Sequence, residues 1–228
     1  ARRMELAATA LAEKKPSDAE RDSLLVRVFE HWYLVPGLLG LPWEEDAPVV
    51  QVRPWATWGV AAAVALLSGL AFIDLERAVD TFGLIPDRPF RLLGLTFFTS
   101  FFVHGGIFHL LANLYFFVVF GDNVEETIGT KRFLGLLAAS TLLGGITHVL
   151  LDPRGDIPCI GASGGISGIM AFYAFTFPQG KVGLIRFFGV VPFLFRIPVG
   201  AAFAIWIGLQ ILTAIVQSSG LTSVSAFA

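Results

Sequence analysis

Long runs without a charged side chain constrain this chain more than any other feature. No Asp, Glu, Lys or Arg occurs in residues 92–121, 133–151, 157–177 or 197–228. At about 1.5 Å of rise per helical residue, runs of this length cross the hydrocarbon core of a bilayer. The chain is 55% apolar, whereas soluble domains average about 45–50%. The sequence therefore predicts an all-α fold, a polytopic membrane helical bundle.

The polar segments between these runs predict five complete spans and the start of a sixth. The spans are expected at about residues 55–73, 96–120, 133–151, 161–177 and 199–216, and the sixth begins near residue 223. The segments between them are expected to be a loop with short amphipathic pieces (74–94), a polar turn (121–132), a short polar loop (152–158) and a mixed segment (178–198). Residues 1–54 are predicted to form a cytosolic arm with an amphipathic helix, and residues 55–228 the transmembrane domain.

The distribution of basic residues predicts the orientation. Twelve of the sixteen Lys and Arg residues fall in segments that lie on the same side of the membrane as the N-terminus. This distribution favours a cytoplasmic N-terminus and opens Ser163 toward the outer face. The net charge of −2 gives no reason to expect nucleic-acid binding. The single cysteine, Cys159, excludes an internal disulfide framework.

Residues 161–168, with the sequence GASGGISG, hold a serine between glycines at the water-facing end of the fourth span. Two interpretations are open. Gly164 and Gly168 form a GxxxG pair, which lets two membrane helices touch. Alternatively, Ser163 is a nucleophile that other backbone approaches closely, which the flanking glycines would allow.

His109 and Asn113 lie four residues apart, so they share one face of a helix. Such polar groups are costly inside a membrane helix unless they are paired or line a wet cavity, which makes them functional candidates. Two adjacent donors suit an oxyanion, and the alternative is a structural hydrogen bond between helices, worth about 1 kcal/mol. Helical geometry turns His104 about 140° from His109, so we expect that they do not face one site. A metal site is not expected, because HExxH spacing and nearby carboxylate or thiolate ligands are lacking.

The ordered combination of these motifs resembles the rhomboid family of intramembrane serine proteases. The resemblance covers about residues 55–228, and the matching residues are His104, His109 and Asn113, then Gly121, Glu125 and Gly129, then Gly161, Ala162, Ser163 and Gly164. It implies a rhomboid-like fold and an acyl-enzyme mechanism without metal or organic cofactor.

The resemblance also implies a role for each matching residue. Ser163 would be the nucleophile of a Ser–His dyad without an acidic third member. His109 and Asn113 would form the oxyanion hole together with the backbone N–H of Ser163. Gly161 and Gly164 would permit close helix approach around the nucleophile.

The other matching positions have structural roles by resemblance. Glu125 would stabilise the turn after the second span, and Arg91 stands where many members carry Trp-Arg. His104 is expected to tie the first loop to the second span. Ser167 departs from the pattern, because several members place there an aromatic ring stacked on the catalytic histidine.

The general base of the family is a histidine on the sixth span, and residues 1–228 hold no counterpart. We expect the chain to be a fragment, with this histidine just past Ala228. His148 lies on the same outer side as Ser163, but the resemblance gives it no role, and packing or loop contact is expected for it.

The implied partners are transmembrane protein substrates and the lipid bilayer, and the implied location is the membrane of a prokaryotic cell. The sequence does not specify an oligomeric state. One alternative is a catalytically inactive rhomboid-like protein that binds membrane helices, which would explain the missing base. A transporter or channel is a second alternative, but it would be expected to show inverted repeats, and the sequence has no internal repeat.

Overall fold

The computed structural model describes residues 42–45, 53–151, 155–188 and 191–218. These residues divide between two compact units, one containing 42–45 with 179–199 and the other containing 53–178 with 200–218. The predicted amphipathic helix of the N-terminal arm and the predicted start of a sixth span lie outside the described residues.

The larger unit is helical, as predicted. Within the described ranges the α-helices are α1 (Trp55–Ala71), α2 (Leu75–Phe82), α3 (Thr96–Thr99), α4 (Ile107–Ile128), α5 (Thr130–Leu151), α6 (Ser163–Thr176) and α7 (Val199–Ser218). Two 3₁₀ turns, Arg91–Gly94 and Ser100–Phe102, flank α3. The bounds of α1, α5, α6 and α7 agree with the predicted first, third, fourth and fifth spans to within three residues.

The second predicted span was wrong at both ends. Residues 96–120 do not form one helix, because Val103 to Gly106 interrupt it and α4 begins only at Ile107. The interruption contains two glycines, Gly105 and Gly106, whose backbone entropy disfavours a helix. The predicted polar turn at 121–132 was also wrong, because α4 continues to Ile128 and the chain reverses at Gly129 alone, with φ of 80°.

Helices α1 and α4 run in opposite directions. The start of α1 contacts the end of α4, where Thr57 bonds Glu125, and its end contacts the segment before α4, where Ser68 bonds His104. Helices α5 and α6 are likewise antiparallel. This arrangement returns the beginning of α6 to the end of the unit at which α4 begins.

By length and composition, two of the described helices are suited to cross a membrane, α4 and α5, and α1 and residues 199–213 of α7 are shorter apolar helices. Leucines on α1 at positions 66, 67 and 70 are exposed, as lipid-facing side chains would be. The count of five spans stays a prediction.

The smaller unit contains a three-stranded antiparallel sheet that the sequence analysis did not predict. Strand β1 (Trp43–Glu45) pairs with β2 (Lys181–Phe188), which pairs with β3 (Val191–Pro198). Trp43 is buried, and its ring occupies the space that a β-carbon at Gly183 would need. The segment expected to be mixed, residues 178–198, is therefore mainly a hairpin.

The contact between α5 and α6 gives a direct test of the packing. A β-carbon at Gly168 would overlap the side chain of Ser140, including its Cβ, so rotation of the hydroxyl cannot relieve the clash. We expect Gly168→Ala to lower the free energy of unfolding by about 1–3 kcal/mol, the usual cost of overpacking. The measurement is SDS-induced unfolding in detergent micelles.

Gly135→Ala on α5 is the matched control, because nothing lies within 4 Å of its β-carbon position. This variant should be neutral or stabilised by up to about 1 kcal/mol, the difference in helix propensity between Gly and Ala. Equal effects of the two substitutions would contradict the close contact.

Candidate active site

Ser163 is the first residue of α6, and the backbone before it is fixed by a glycine. Gly161 has φ of 114°, a conformation that L side chains rarely adopt, and its N–H donates to Ser100 O at 2.9 Å. Ala162 is buried and Ser163 is half-buried. Because the first amides of a helix have no acceptor within it, the N–H of Ser163 is available to bind an external oxygen.

The glycines after Ser163 let α5 approach α6 closely. A β-carbon at Gly164 would lie 3.5 Å from Gly144 Cα, and one at Gly165 would lie 2.6 Å from Thr141 Oγ1. Together with the contact of Gly168 on Ser140, these distances place the glycines of the motif against α5. The packing contact starts at the residue after Ser163, so it also fixes the position of the serine.

His109 and Asn113 lie in the first two turns of α4, and both are buried. Asn113 Nδ2 donates to His109 O at 2.9 Å, and Asn113 Oδ1 has no hydrogen-bond partner among the described residues. The N–H of Gly105 donates to His109 Nδ1 at 3.4 Å, so a neutral ring carries its proton on Nε2. Asn113 thus keeps a second Nδ2–H beyond its local bond.

Helices α4 and α6 run in parallel, which follows from their side-chain contacts. The rings of Phe120 and Tyr173 are 5.1 Å apart, and nearer the start of both helices Trp206 of α7 contacts Phe116 and donates to Ser167 Oγ. When this parallel alignment is followed by about two turns toward the N-terminal ends of both helices, the start of α6 lies level with the first turns of α4. The structure therefore collects the three predicted site residues at one end of two packed helices.

Ser163 Oγ itself forms no hydrogen bond with any residue that the structure describes, and its backbone carbonyl accepts from Ser167 Oγ at 2.8 Å. Position 167, where an aromatic ring was expected in relatives, is thus a hydrogen-bonding serine that contacts Trp206 from α7. Sequence reasoning did not assign Trp206, because it lies 39 positions away from its partner.

His104 faces His109, contrary to expectation. The two ring centroids are 4.9 Å apart with an angle of 65° between the planes. The expectation of divergent rings was wrong because His104 precedes α4, so helical angles do not relate the two residues. The expected tie from the first loop is instead a bond to α1, where Ser68 Oγ lies 2.9 Å from His104 Nδ1.

The protonation of His104 follows from its neighbours. Ser68 Oγ donates its one proton to Phe102 O at 2.8 Å, so His104 Nδ1 carries the proton that it shares with Ser68, and Nε2 has no partner among the described residues. Burial in this connecting segment lowers the pKa of His104 to about 3, and the nearby His109 contributes a smaller part of this decrease. The ring of His104 is therefore neutral near pH 7.

Arg91 and Glu125 form hydrogen bonds away from the candidate site. The Arg91 guanidinium donates to the carbonyl oxygens of Asp80 and Thr81 at the end of α2, where a positive charge is favourable. Glu125, near the far end of α4 from His109, accepts from Thr57 N at 2.8 Å and from Thr130 Oγ1 at 2.8 Å. It therefore joins the turn between α4 and α5, as expected, and also binds the start of α1.

No group of three or more His, Cys, Asp or Glu in the described ranges is arranged to hold a metal ion. His148, near the end of α5, is partly buried, and no bond to Ser163 Oγ is formed.

Comparison with known proteins identifies a family. A family model described as Rhomboid domain matches residues 93–228. The putative rhomboid protease YdcA of Bacillus subtilis is 35% identical over 77 residues, covering 34% of this chain and 38% of that protein. RHOMBOID-like protein 5 of Arabidopsis thaliana is 34% identical over 68 residues, covering 30% of this chain and 22% of that protein.

Inactive rhomboid protein 1 of Drosophila melanogaster is 36% identical over 86 residues, covering 38% of this chain and 6% of that protein. The alignments therefore span less than two fifths of each relative's own length. No solved structure matches the chain.

The bond between α1 and His104 can be tested by removing one hydroxyl. Ser68→Ala leaves the buried Nδ1–H of His104 without its acceptor, which typically costs about 1–3 kcal/mol. We expect a loss of this size in the free energy of unfolding, measured by SDS titration. Thr213→Val is the control, because the Thr213 hydroxyl bonds only Leu209 O of its own helix. An effect of Ser68→Ala no larger than that of the control would refute this assignment.

Proposed function

The chain belongs to the rhomboid family, and we propose that it is an intramembrane serine endopeptidase that cleaves transmembrane segments of membrane proteins. The observation that carries the proposal is the common position of Ser163, His109 and Asn113 at one end of two packed parallel helices. The proposal is also supported by the name of the Bacillus subtilis relative, a putative rhomboid protease.

In the proposed reaction, Ser163 Oγ attacks the carbonyl carbon of the scissile peptide bond. A base takes the hydroxyl proton and then gives it to the leaving amine, which leaves an acyl-enzyme. Water activated by the same base hydrolyses the ester and restores the serine. A pocket that admits water is therefore required beside Ser163, and the half-buried state of this residue is consistent with one.

The oxyanion of the tetrahedral intermediate would be bound by three donors. They are the backbone N–H of Ser163, which has no acceptor within α6, the Nε2–H of His109 and the second Nδ2–H of Asn113. The Gly105 N–H bond to His109 Nδ1 supports this role, because it favours the tautomer that donates from Nε2. Each such donor is typically worth about 3–4 kcal/mol of the barrier.

We assign the general base to a histidine on a further helix, as the family resemblance implies. His104 does not suit this role, since its Nδ1 is bonded to Ser68 of α1 and it forms no bond to Ser163 Oγ. His109 is committed to the oxyanion. His148 has no bond to Ser163 Oγ.

The substrate would be a membrane helix whose carbonyls are hidden in its own hydrogen bonds. It must unwind locally before Ser163 can reach a carbonyl carbon, so small or helix-breaking residues are expected at the cleavage site.

We propose five spans and the start of a sixth, a cytoplasmic N-terminus, a site at the outer face and the membrane of a prokaryotic cell as location. Support for the orientation comes from the twelve Lys and Arg residues in segments on the same side of the membrane as the N-terminus.

A second candidate function is binding of membrane helices without cleavage. It is favoured by the absence of a hydrogen bond on Ser163 Oγ among the described residues and by the similarity to Inactive rhomboid protein 1. Retention of the serine together with both oxyanion donors argues for the protease.

Labelling by a fluorophosphonate separates the two candidates. The full-length protein should be labelled, and Ser163→Ala should lose both the label and the cleavage of a transmembrane substrate, by about 10⁴-fold or more. His109→Ala and Asn113→Ala should each lower kcat by about 10²–10³-fold. Ser140→Ala, another serine on a membrane helix, should retain the label. An unlabelled full-length protein that still binds membrane helices would favour the inactive alternative.

A chain of residues 1–228 alone is expected to show no turnover of a transmembrane substrate, because the assigned base is absent from it. Loss of a catalytic histidine in serine hydrolases costs on the order of 10⁴- to 10⁶-fold. The measurement is gel-based cleavage in proteoliposomes. Robust cleavage would mean that another group, with His148 the first candidate, acts as the base.

A further inference from the structure

A cavity of about 330 Å³ lies in the helical unit, beside the segments that lead into the candidate active site. One wall is α2, which contributes Glu76, Val79 and Asp80, and another is the chain around Asp156 and Ile160. The two walls are held together by an antiparallel pair of bonds, Leu84 N to Cys159 O at 3.0 Å and Cys159 N to Leu84 O at 2.8 Å. The cavity is therefore built from well-fixed backbone.

Two backbone connections link this cavity to the proposed catalytic residues. Gly105 lines the cavity, and its N–H donates to His109 Nδ1. Ile160 lines it from the other side and precedes Gly161, whose N–H is bonded to Ser100 O. A polypeptide that occupied the cavity would thus lie next to the start of α6.

The lining combines an apolar surface with unpaired charges. Ile160 is buried and Val79 partly buried, whereas the charged residues around them, Glu76, Asp80, Asp156 and Arg88, are exposed. Among the described residues, none of these four charged side chains forms an ion pair or a hydrogen bond. Three carboxylates against one guanidinium give the cavity an excess of negative charge.

We propose that this cavity binds the segment of the substrate that leaves the membrane next to the scissile bond, and that it selects a Lys or Arg side chain there. The long alkyl stem of such a side chain packs on apolar surface while its charged end meets the carboxylates. The volume lies in the range that holds a small ligand, about 300–1,000 Å³, which suits one such side chain with its flanking backbone. This inference rests on the proposed function, because it concerns the same substrate.

The test uses binding rather than cleavage, so that it does not depend on chemistry at Ser163. Full-length protein carrying Ser163→Ala is placed in nanodiscs with labelled peptides of about 20 apolar residues, preceded by a short outer segment. That segment holds a single Lys, Gln or Glu, and fluorescence anisotropy gives the Kd of each peptide. We expect the Lys peptide to bind about tenfold more tightly than the Gln peptide, and the preference to shrink as salt is raised.

The double substitution Glu76→Gln with Asp80→Asn should weaken binding of the Lys peptide about tenfold and leave the Gln peptide unchanged. Asp87→Asn is the matched control, because Asp87 is an exposed carboxylate of the adjoining loop that does not line the cavity. It should leave the Lys preference intact. Since all three side chains are exposed, circular dichroism is expected to show the same helicity in every variant.

Tightest binding of the Glu peptide would overturn the proposal and indicate that Arg88 dominates the cavity. Equal binding of the three peptides, or no binding of any, would overturn it as well. The proposed function fails on a different measurement, fluorophosphonate labelling of Ser163 in the otherwise unmodified protein. Labelling of Ser163 without a charge preference would therefore refute the binding of a basic side chain in the cavity and leave the protease function standing. A charge preference without labelling would refute the protease function instead.

Discussion

The contact between α5 and α6 is the constraint on which the rest of the helical unit depends. It exists because side chains are absent along one face of α6, where Gly165 lies against Thr141 and Gly168 against Ser140. Inside a bilayer the lipid tails are as apolar as the helices, so close van der Waals contact, rather than burial from water, holds helices together. Ser163 starts this face, and its position follows from how closely the two helices approach.

Polar bonds at the two ends of α1 fix its position against α4. At one end Glu125 accepts from Thr57, and at the other end Ser68 bonds His104. The apolar side chains between them could slide along each other at little cost, whereas a buried polar group that loses its partner costs several times more. The second of these bonds reaches the ring that faces His109, so α1 supports the candidate site although none of its residues lies in it.

Hydropathy was sufficient to predict where α1, α5, α6 and α7 lie, because an apolar run between charges leaves few alternatives in a membrane. It could not locate the start of α4, since residues 96–106 are as apolar as the helix that follows, and only the pair Gly105 and Gly106 marked the break. The strands β2 and β3 were missed for a related reason. Their pairing with each other and with Trp43 is a long-range contact, which composition does not record.

The site shows the same division between local and long-range information. The spacing of His109 and Asn113 correctly predicted neighbours on one helix face, because spacing within a helix is local. The contact of His104 with His109 depends on an extended connection, and the contacts of Ser167 depend on Trp206 from a distant helix. Glycines around Ser163 were interpreted either as packing or as chemistry. The structure shows the packing, because the absent side chains admit α5. The binding of a substrate oxygen by the first amides of α6 belongs to the proposed function.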